Sequence, residues 1–289
     1  MKLRSMLFVP ADSDRKLAKS LGTAADALIL DLEDSVADAR KALARGLAAE
    51  FIAAHAATLV AKVFVRINPL DTAFAMADLA AVVMPGLAGI MLPKTRSAAD
   101  VARLGHGLDA LEAHAGLGPG SVRIVPVATE TAEAMLTMQT YATPMARLAG
   151  LTWGAEDLST AIGAAANREE DGSWSPLYQL ANSLCLCAAA AAGVPAIDTL
   201  HADFRDGAGL AAACRASRRR GFRGRLAIHP DQVAIINDAY TPSEAELAHA
   251  RRIVDAFAAQ PHAGALSIDG VMIDKPHLTQ ARRTLGLTG

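Results

Sequence analysis

Glu130 and Asp157 each follow a short apolar run, Arg123–Ala128 and Leu148–Trp153. Carboxylates delivered by buried segments are rare unless they pair or hold an ion. The chain carries 30 Asp and Glu against 8 His and 3 Cys, with no His-Glu-x-x-His and no Gly-x-Ser-x-Gly. Zinc and serine-nucleophile chemistry therefore lack their motifs, and a hard cation on oxygen ligands is favoured. Mg²⁺ takes one or two carboxylates and leaves its other positions to water and substrate oxygens. Acids are also favoured in the first turn of a helix, so capping is the competing role for both residues.

Other charged groups fall at the same kind of place. Arg66 closes the run Val63-Phe-Val-Arg-Ile, where a guanidinium wants a bidentate carboxylate, supplied by substrate or by Asp31, Glu33 or Asp34. Lys94 and Asp34 suit either a functional role or a network of rim ion pairs. Arg15 and Lys19 lie four apart, hence on one helix face, which fits a phosphate-bearing tail or a solvated surface. Arg215, Arg218, Arg219, Arg220, Arg223 and Arg225 straddle a helix end and are expected to form a solvated face.

The elements that position these groups alternate in type. Candidate strands are Leu3–Val9, Ala27–Leu32, Val63–Ile67, Gly89–Leu92, Arg123–Ala128, Leu148–Trp153, Val194–Asp198 and Arg225–Ile228. Helical text follows each one: Asp14–Leu21, Asp38–Ala56, Thr72–Val83, Ala98–Ala115, Ala132–Gln139, Pro176–Ala192, Gly207–Arg219 and Asp231–Ala239. Continuous apolar strands are buried on both faces, so the sheet is parallel. Eight βα units predict an α/β fold of the (β/α)8 TIM-barrel type, and no Gly-x-Gly-x-x-Gly supports the open doubly wound alternative. The charged residues then collect at the C-terminal rim, with Asp198 and His229 among them.

The barrel is expected over 1–240 and a C-terminal lid or oligomerisation extension over 241–289. Ser243 and Glu246 form a capping box for a helix running to about Ala259. Leu266–Ile273 alternates around Asp269-Gly270 as a hairpin, and Pro276 opens a last helix. The apolar segment Leu180–Ala192 is expected to be buried in the barrel or at a subunit contact. Cys185, Cys187 and Cys214 read as small hydrophobes in a reduced, cytoplasmic protein. A formal net charge of −2 and 4% aromatics argue against a nucleic-acid partner. No apolar run approaches the ~18 residues of a membrane span.

The runs Arg4-Ser-Met-Leu-Phe-Val-Pro-Ala, Leu30-Asp-Leu-Glu-Asp-Ser-Val36, Val65-Arg-Ile-Asn68, Leu92-Pro-Lys94, Glu130-Thr-Ala132, Gly154-Ala-Glu-Asp-Leu158, Ile228-His-Pro-Asp-Gln232 and Val271-Met-Ile-Asp-Lys-Pro276 occur in this order. Together they resemble the citrate lyase beta-subunit-like family, a branch of the malyl-CoA lyase and class II pyruvate aldolase superfamily. The resemblance implies a Mg²⁺-dependent barrel, Mn²⁺ being a possible substitute. Its reaction would be a reversible Claisen-type cleavage of a malyl-CoA- or citramalyl-CoA-like thioester to a 2-oxo acid and an acyl-CoA. It implies Glu130 and Asp157 as metal ligands, and Arg66 as the grip on the substrate carboxylate beside Glu130 and Lys94. Arg15, Lys19, Ile228 and His229 would contact CoA, with Phe8 standing where relatives carry a tyrosine. Asp274 would act as acid or base from the lid of a neighbouring subunit in a homotrimer or hexamer, with Asp34 also catalytic. Lys275 stands where an apolar residue is common. The other readings are a citrate lyase beta subunit working on a carrier protein, a class II pyruvate aldolase on free acids, and a barrel kept as a binding module.

Overall fold

Alternation along the strands sorts side chains between the inside of a sheet and its helix-covered outside. The computed structural model describes residues 1–287. Its elements in chain order are β1 (Ser5–Pro10), α1 (Asp14–Ser20), β2 (Ala27–Asp31), α2 (Lys41–His55), β3 (Lys62–Arg66), α3 (Ala75–Val82), β4 (Leu87–Leu92), α4 (Ala98–His114), β5 (Arg123–Pro126) and α5 (Ala132–Thr137). They continue with β6 (Leu151–Thr152), α6 (Glu156–Ile162), α7 (Pro176–Ala191), β7 (Ala196–Asp198), α8 (Gly207–Arg220), β8 (Gly224–Ala227) and α9 (Pro230–Ala239). The chain ends in α10 (Glu244–Ala259), β9 (Ala265–Ile268), β10 (Val271–Asp274) and α11 (Lys275–Thr284). It divides into two compact units, Met1–Tyr240 and Thr241–Gly289.

In the first unit eight parallel strands run in the order β5-β4-β3-β2-β1-β8-β7-β6. The ring closes between β5 and β6 through single parallel bridges, Ile124 to Leu148 and Val127 to Thr152. The (β/α)8 TIM-barrel expectation therefore holds. Met6, Ile29, Phe64, Met91, Val125, Ile197 and Leu226 fill the barrel interior. Their strand neighbours, among them Leu7, Leu28, Leu30, Val63, Val65 and Ala227, pack outward against the helices.

That parity decides where the polar strand ends go. Asp31 and Arg66 continue the inward rows of Ile29 and Phe64, and reach the mouth. Asp198 and Arg225 fall in the outward rows, and the expectation for both is corrected. Asp198 is not a rim group, and Arg225 does not join the solvated arginines. The two form a buried ion pair behind the barrel wall. Trp153 Nε1 donates to Asp198 Oδ1 at 2.7 Å, and the Thr199 amide donates to the same oxygen at 2.9 Å. Cys185 and Cys214 are buried as expected, whereas Cys187 is exposed.

The second unit has its own small core of Ala250, Ile253, Phe257, Ile273 and Ala281. Ser243 and Glu246 cap α10 reciprocally, as their spacing predicts. The hairpin turns at Asp269 and Gly270, both with positive φ (53° and 78°), as a two-residue turn between twisted strands requires. Among the described residues no helix is long and apolar enough to cross a membrane.

Candidate active site

The mouth is built on the ends of β2, β3, β4 and β5 and on the first turn of α6. Arg66 is its fixed point. Its Nε and Nη2 donate to the two Asp31 oxygens at 2.7 Å each, a bidentate fork, and Nη1 lies 2.9 Å from Glu33 Oε2. The Phe8 ring sits beneath the guanidinium, 4.7 Å from ring centroid to Cζ. Burial works against the Arg66 charge, but Asp31, Glu33 and Glu130 outweigh it and raise the pKa. Burial likewise opposes the Asp31 charge, and the Arg66 hydrogen bonds hold that carboxyl below its ordinary value. Of the alternatives open for Arg66, the internal partner is therefore present in this chain.

Lys94 joins the carboxylates. Its backbone takes φ 49°, the left-handed region that side-chain-bearing residues rarely adopt. In that conformation the Lys94 amide donates to Glu130 Oε2 at 2.5 Å while its Nζ contacts Glu33 and stands 3.2 Å from Asp34 Oδ2 and from Asp157 Oδ1. One residue thus reaches both members of the acid pair expected to bind metal. Glu130 is buried, and burial, then Asp157, pushes its carboxyl up to about 8, against the Lys94 amide and Arg66. Burial pushes Glu33 up to about 6 despite Arg66 and Lys94. Five carboxylates face two cations here, so the mouth lacks positive charge.

Gly154 makes the pocket for Glu130. A Cβ at this position would lie 2.7 Å from Glu130 Cγ and 3.0 Å from its Oε1. Among the described residues no three His, Cys, Asp or Glu side chains converge as a complete metal cage. Two carboxylates with a missing counter-charge and all-oxygen donors nonetheless fit Mg²⁺, which leaves coordination positions to water and substrate.

The remaining expected residues lie elsewhere. Arg15 and Lys19 are exposed on α1. His229 caps α9 and stacks on Phe204, with centroids 4.6 Å apart, and the Ile228 amide donates to Gln232 Oε1 at 2.8 Å. Phe204 went unnoticed in the sequence, where a lone aromatic in a polar loop gives no signal. Asp34 is half-exposed beside Lys94. Asp274 belongs to the second unit, where it caps α11 with His277 Nδ1 2.5 Å from its Oδ1. That contact holds the Asp274 carboxyl below its ordinary value.

The sequence and the fold have known counterparts. Residues 4–230 match the family model described as HpcH/HpaI aldolase/citrate lyase. A citrate lyase subunit beta-like protein of Mycobacterium tuberculosis is 35% identical, over 98% of this chain and 94% of its own. A (3S)-malyl-CoA thioesterase of Cereibacter sphaeroides is 36% identical, over 98% and 93%. The crystal structure of M. tuberculosis CitE in complex with magnesium, acetoacetate and coenzyme A superposes with a TM-score of 0.78 at 34% identity, covering 98% of this chain and 97% of that one. With the family model spanning most of the chain and relatives above 30% identity along nearly all of it, this protein belongs to the HpcH/HpaI aldolase/citrate lyase family of lyases and aldolases.

Proposed function

We propose that this chain is a Mg²⁺-dependent carbon–carbon lyase acting on a β-hydroxyacyl-CoA thioester of the malyl-CoA or citramalyl-CoA kind. The products are a 2-oxo acid and an acyl-CoA, by a reversible Claisen-type reaction. The observation that carries this reading is the Glu130–Lys94–Asp157 arrangement beside an Arg66 anchored on Asp31. Glu130 and Asp157 hold the metal, which when bound supplies Lewis-acid polarisation and neutralises developing oxyanion charge. The magnesium and coenzyme A seen with the M. tuberculosis relative support both ligands here.

The chain's own groups do the rest. Arg66, locked by Asp31, presents a fixed positive edge to the substrate carboxylate, and Lys94 adds a second charge at the same mouth. Asp34, partly exposed beside Lys94, completes the polar rim. In the cleavage direction Asp274 takes the substrate hydroxyl proton, the carbon–carbon bond breaks, and the same proton passes from Asp274 to the departing thioester enolate, leaving the carboxylate ionised again. Arg15 and Lys19 meet the CoA phosphates, and Phe8, Ile228 and His229 line the rest of its path. The assembly is a homotrimer or hexamer in which the 241–289 extension of one subunit serves the mouth of another.

A second reading has its own support, because the 36% identical relative is a thioesterase. The two differ in products. A panel of malyl-, citramalyl- and methylmalyl-CoA, citryl-carrier protein and free hydroxy-keto acids is incubated with Mg²⁺, and thioester and 2-oxo acid are followed together. A 2-oxo acid formed with the thioester retained supports the lyase. Free CoA without a 2-oxo acid moves the assignment to hydrolysis. Turnover of free acids alone moves it to an aldolase.

A further inference from the structure

Lys41 is the first residue of α2 and only 5% exposed, an unusual place for a lysine. Its Nζ donates to the backbone carbonyls of Leu32 and Glu33, at 3.0 Å each, and lies 5.7 Å from the centre of the Phe74 ring. Among the described residues no carboxylate pairs with it. A lysine near a surface ordinarily extends its ammonium into water. Here the charge is kept inside and committed to two carbonyl oxygens.

Those carbonyls belong to the turn that leaves β2, and the same turn carries Glu33 and Asp34 forward to Arg66 and Lys94. Asn68, just beyond β3, clamps the turn from a second side. Its Nδ2 donates to Leu32 O at 3.0 Å and to Asp78 Oδ2 at 2.6 Å. Asp78 is fully buried and accepts in turn from Arg45 Nε at 2.9 Å. Asp31 closes the front, accepting the Glu33 and Ser35 amides at 3.0 and 3.3 Å while it holds Arg66. The turn is thus gripped at its carbonyls from behind and at its amides from the mouth.

We propose that Lys41 is a positioning residue for the mouth. By fixing the Leu32 and Glu33 carbonyls it aims the Glu33 carboxylate at Arg66 and Lys94, and so sets the orientation of the guanidinium that receives the substrate carboxylate. Lys41 touches neither substrate nor metal. Its influence passes through the turn to Arg66 and to the Lys94 ammonium, whereas Glu130 is held by the Lys94 backbone amide and is affected less. The part concerning substrate rests on the lyase reading above.

The test replaces Lys41 with Met, which keeps length and removes the donors. An Ala48→Gly variant is the control, because Ala48 is buried in the same helix but faces the apolar core. Lys41→Met should raise amide exchange in the segment 31–36 by about tenfold, with the β3 and β5 segments unchanged. It should raise KM for the 2-oxo acid in the condensation direction about tenfold, with kcat changed less and Mg²⁺ affinity by calorimetry within about threefold of the parent. Lys41→Arg should restore KM to within about threefold. Ala48→Gly should lower the melting temperature without either effect. If Lys41→Met does not fold, Lys41→Gln is read in the same way. Parental exchange in 31–36, or equal changes from Lys41→Met and Ala48→Gly, overturns the proposal. Should the parent process no 2-oxo acid, the lyase reading fails by itself, and the exchange measurement still decides the role of Lys41.

Discussion

The acid pair depends on a residue with no side chain. Gly154 follows β6, and its bare α-carbon is what lets the Glu130 carboxylate lie against that strand end. A methyl group there would meet Glu130 Cγ at 2.7 Å and Val127 Cγ1 at 3.2 Å. The Val127 methyl belongs to the packed barrel interior, so the more movable Glu130 gives way. Gly154→Ala should therefore weaken Mg²⁺ binding by about tenfold or more, about 1.4 kcal/mol, with a far-ultraviolet circular dichroism spectrum like the parent's. Isothermal titration with MgCl₂ reads this directly, and an unchanged affinity would remove Glu130 from the metal site. At this scale Glu130, Asp157 and Arg66 were legible in sequence because each ends or follows an apolar run. Gly154 and Asn68 stand in the runs that carry the resemblance, but their roles were not legible, and neither was Lys41. Their partners are backbone atoms or the volume beside a neighbouring chain segment, and no motif spacing encodes either.

Elements carry their own electrostatics away from the mouth. Glu112 near the end of α4 is buried, and accepts the Val122 amide at 2.7 Å, the Gly120 amide at 2.9 Å and the Arg147 guanidinium at 2.6–2.7 Å. It ties α4 to the start of β5 and to the segment entering β6. Burial acts to raise its carboxyl, but Arg147 and the two amides prevail and hold it down at about 2. A carboxylate depressed on folding contributes stability that is complete above its unfolded value and is lost as pH falls through its folded value. Glu112→Gln should destabilise by about 3 kcal/mol at pH 7 in urea unfolding, since Arg147 loses the buried one of its two acidic partners and keeps only the exposed Asp109. The gap between variant and parent should narrow between about pH 4.5 and pH 2. A gap constant down to pH 3 would exclude the ion pair as its source. The same scale shows the limits of pattern reading. The eight strands were recognisable as apolar runs, yet the expected Leu148–Trp153 strand is only Leu151–Thr152, its remaining pairing being single bridges. Helix α6, of seven residues, is absent from the expected helices, although the competing first-turn position weighed for Asp157 is the one it takes. Asp198 and Arg225 were misplaced for a different reason. Strands buried on both faces hide the inside–outside alternation that only packing reveals.

At the scale of the whole molecule, the proposal that Asp274 acts as the base in an oligomer leaves to be tested which chain would supply it. Its unit folds around Ile253, Phe257 and Ile273, and within that unit the carboxylate is occupied by His277 and held in its ionised form. An ionised acid can serve as the proposed base once the imidazole contact is released. In a symmetric oligomer every mouth is equivalent, so the source of Asp274 becomes a counting problem. Asp274→Asn and Glu130→Gln chains should each retain no more than about 1% of parental activity when purified alone. Co-expressed in equal amounts and mixed at random, they behave differently under the two arrangements. If Asp274 acts on a neighbour's mouth, about a quarter of the mouths combine an intact Glu130 with an intact Asp274, and the mixture should recover about a quarter of parental activity. If Asp274 serves its own barrel, every chain carries one defect in its own mouth. The hybrid then stays at the level of its parents, and a shared mouth is ruled out.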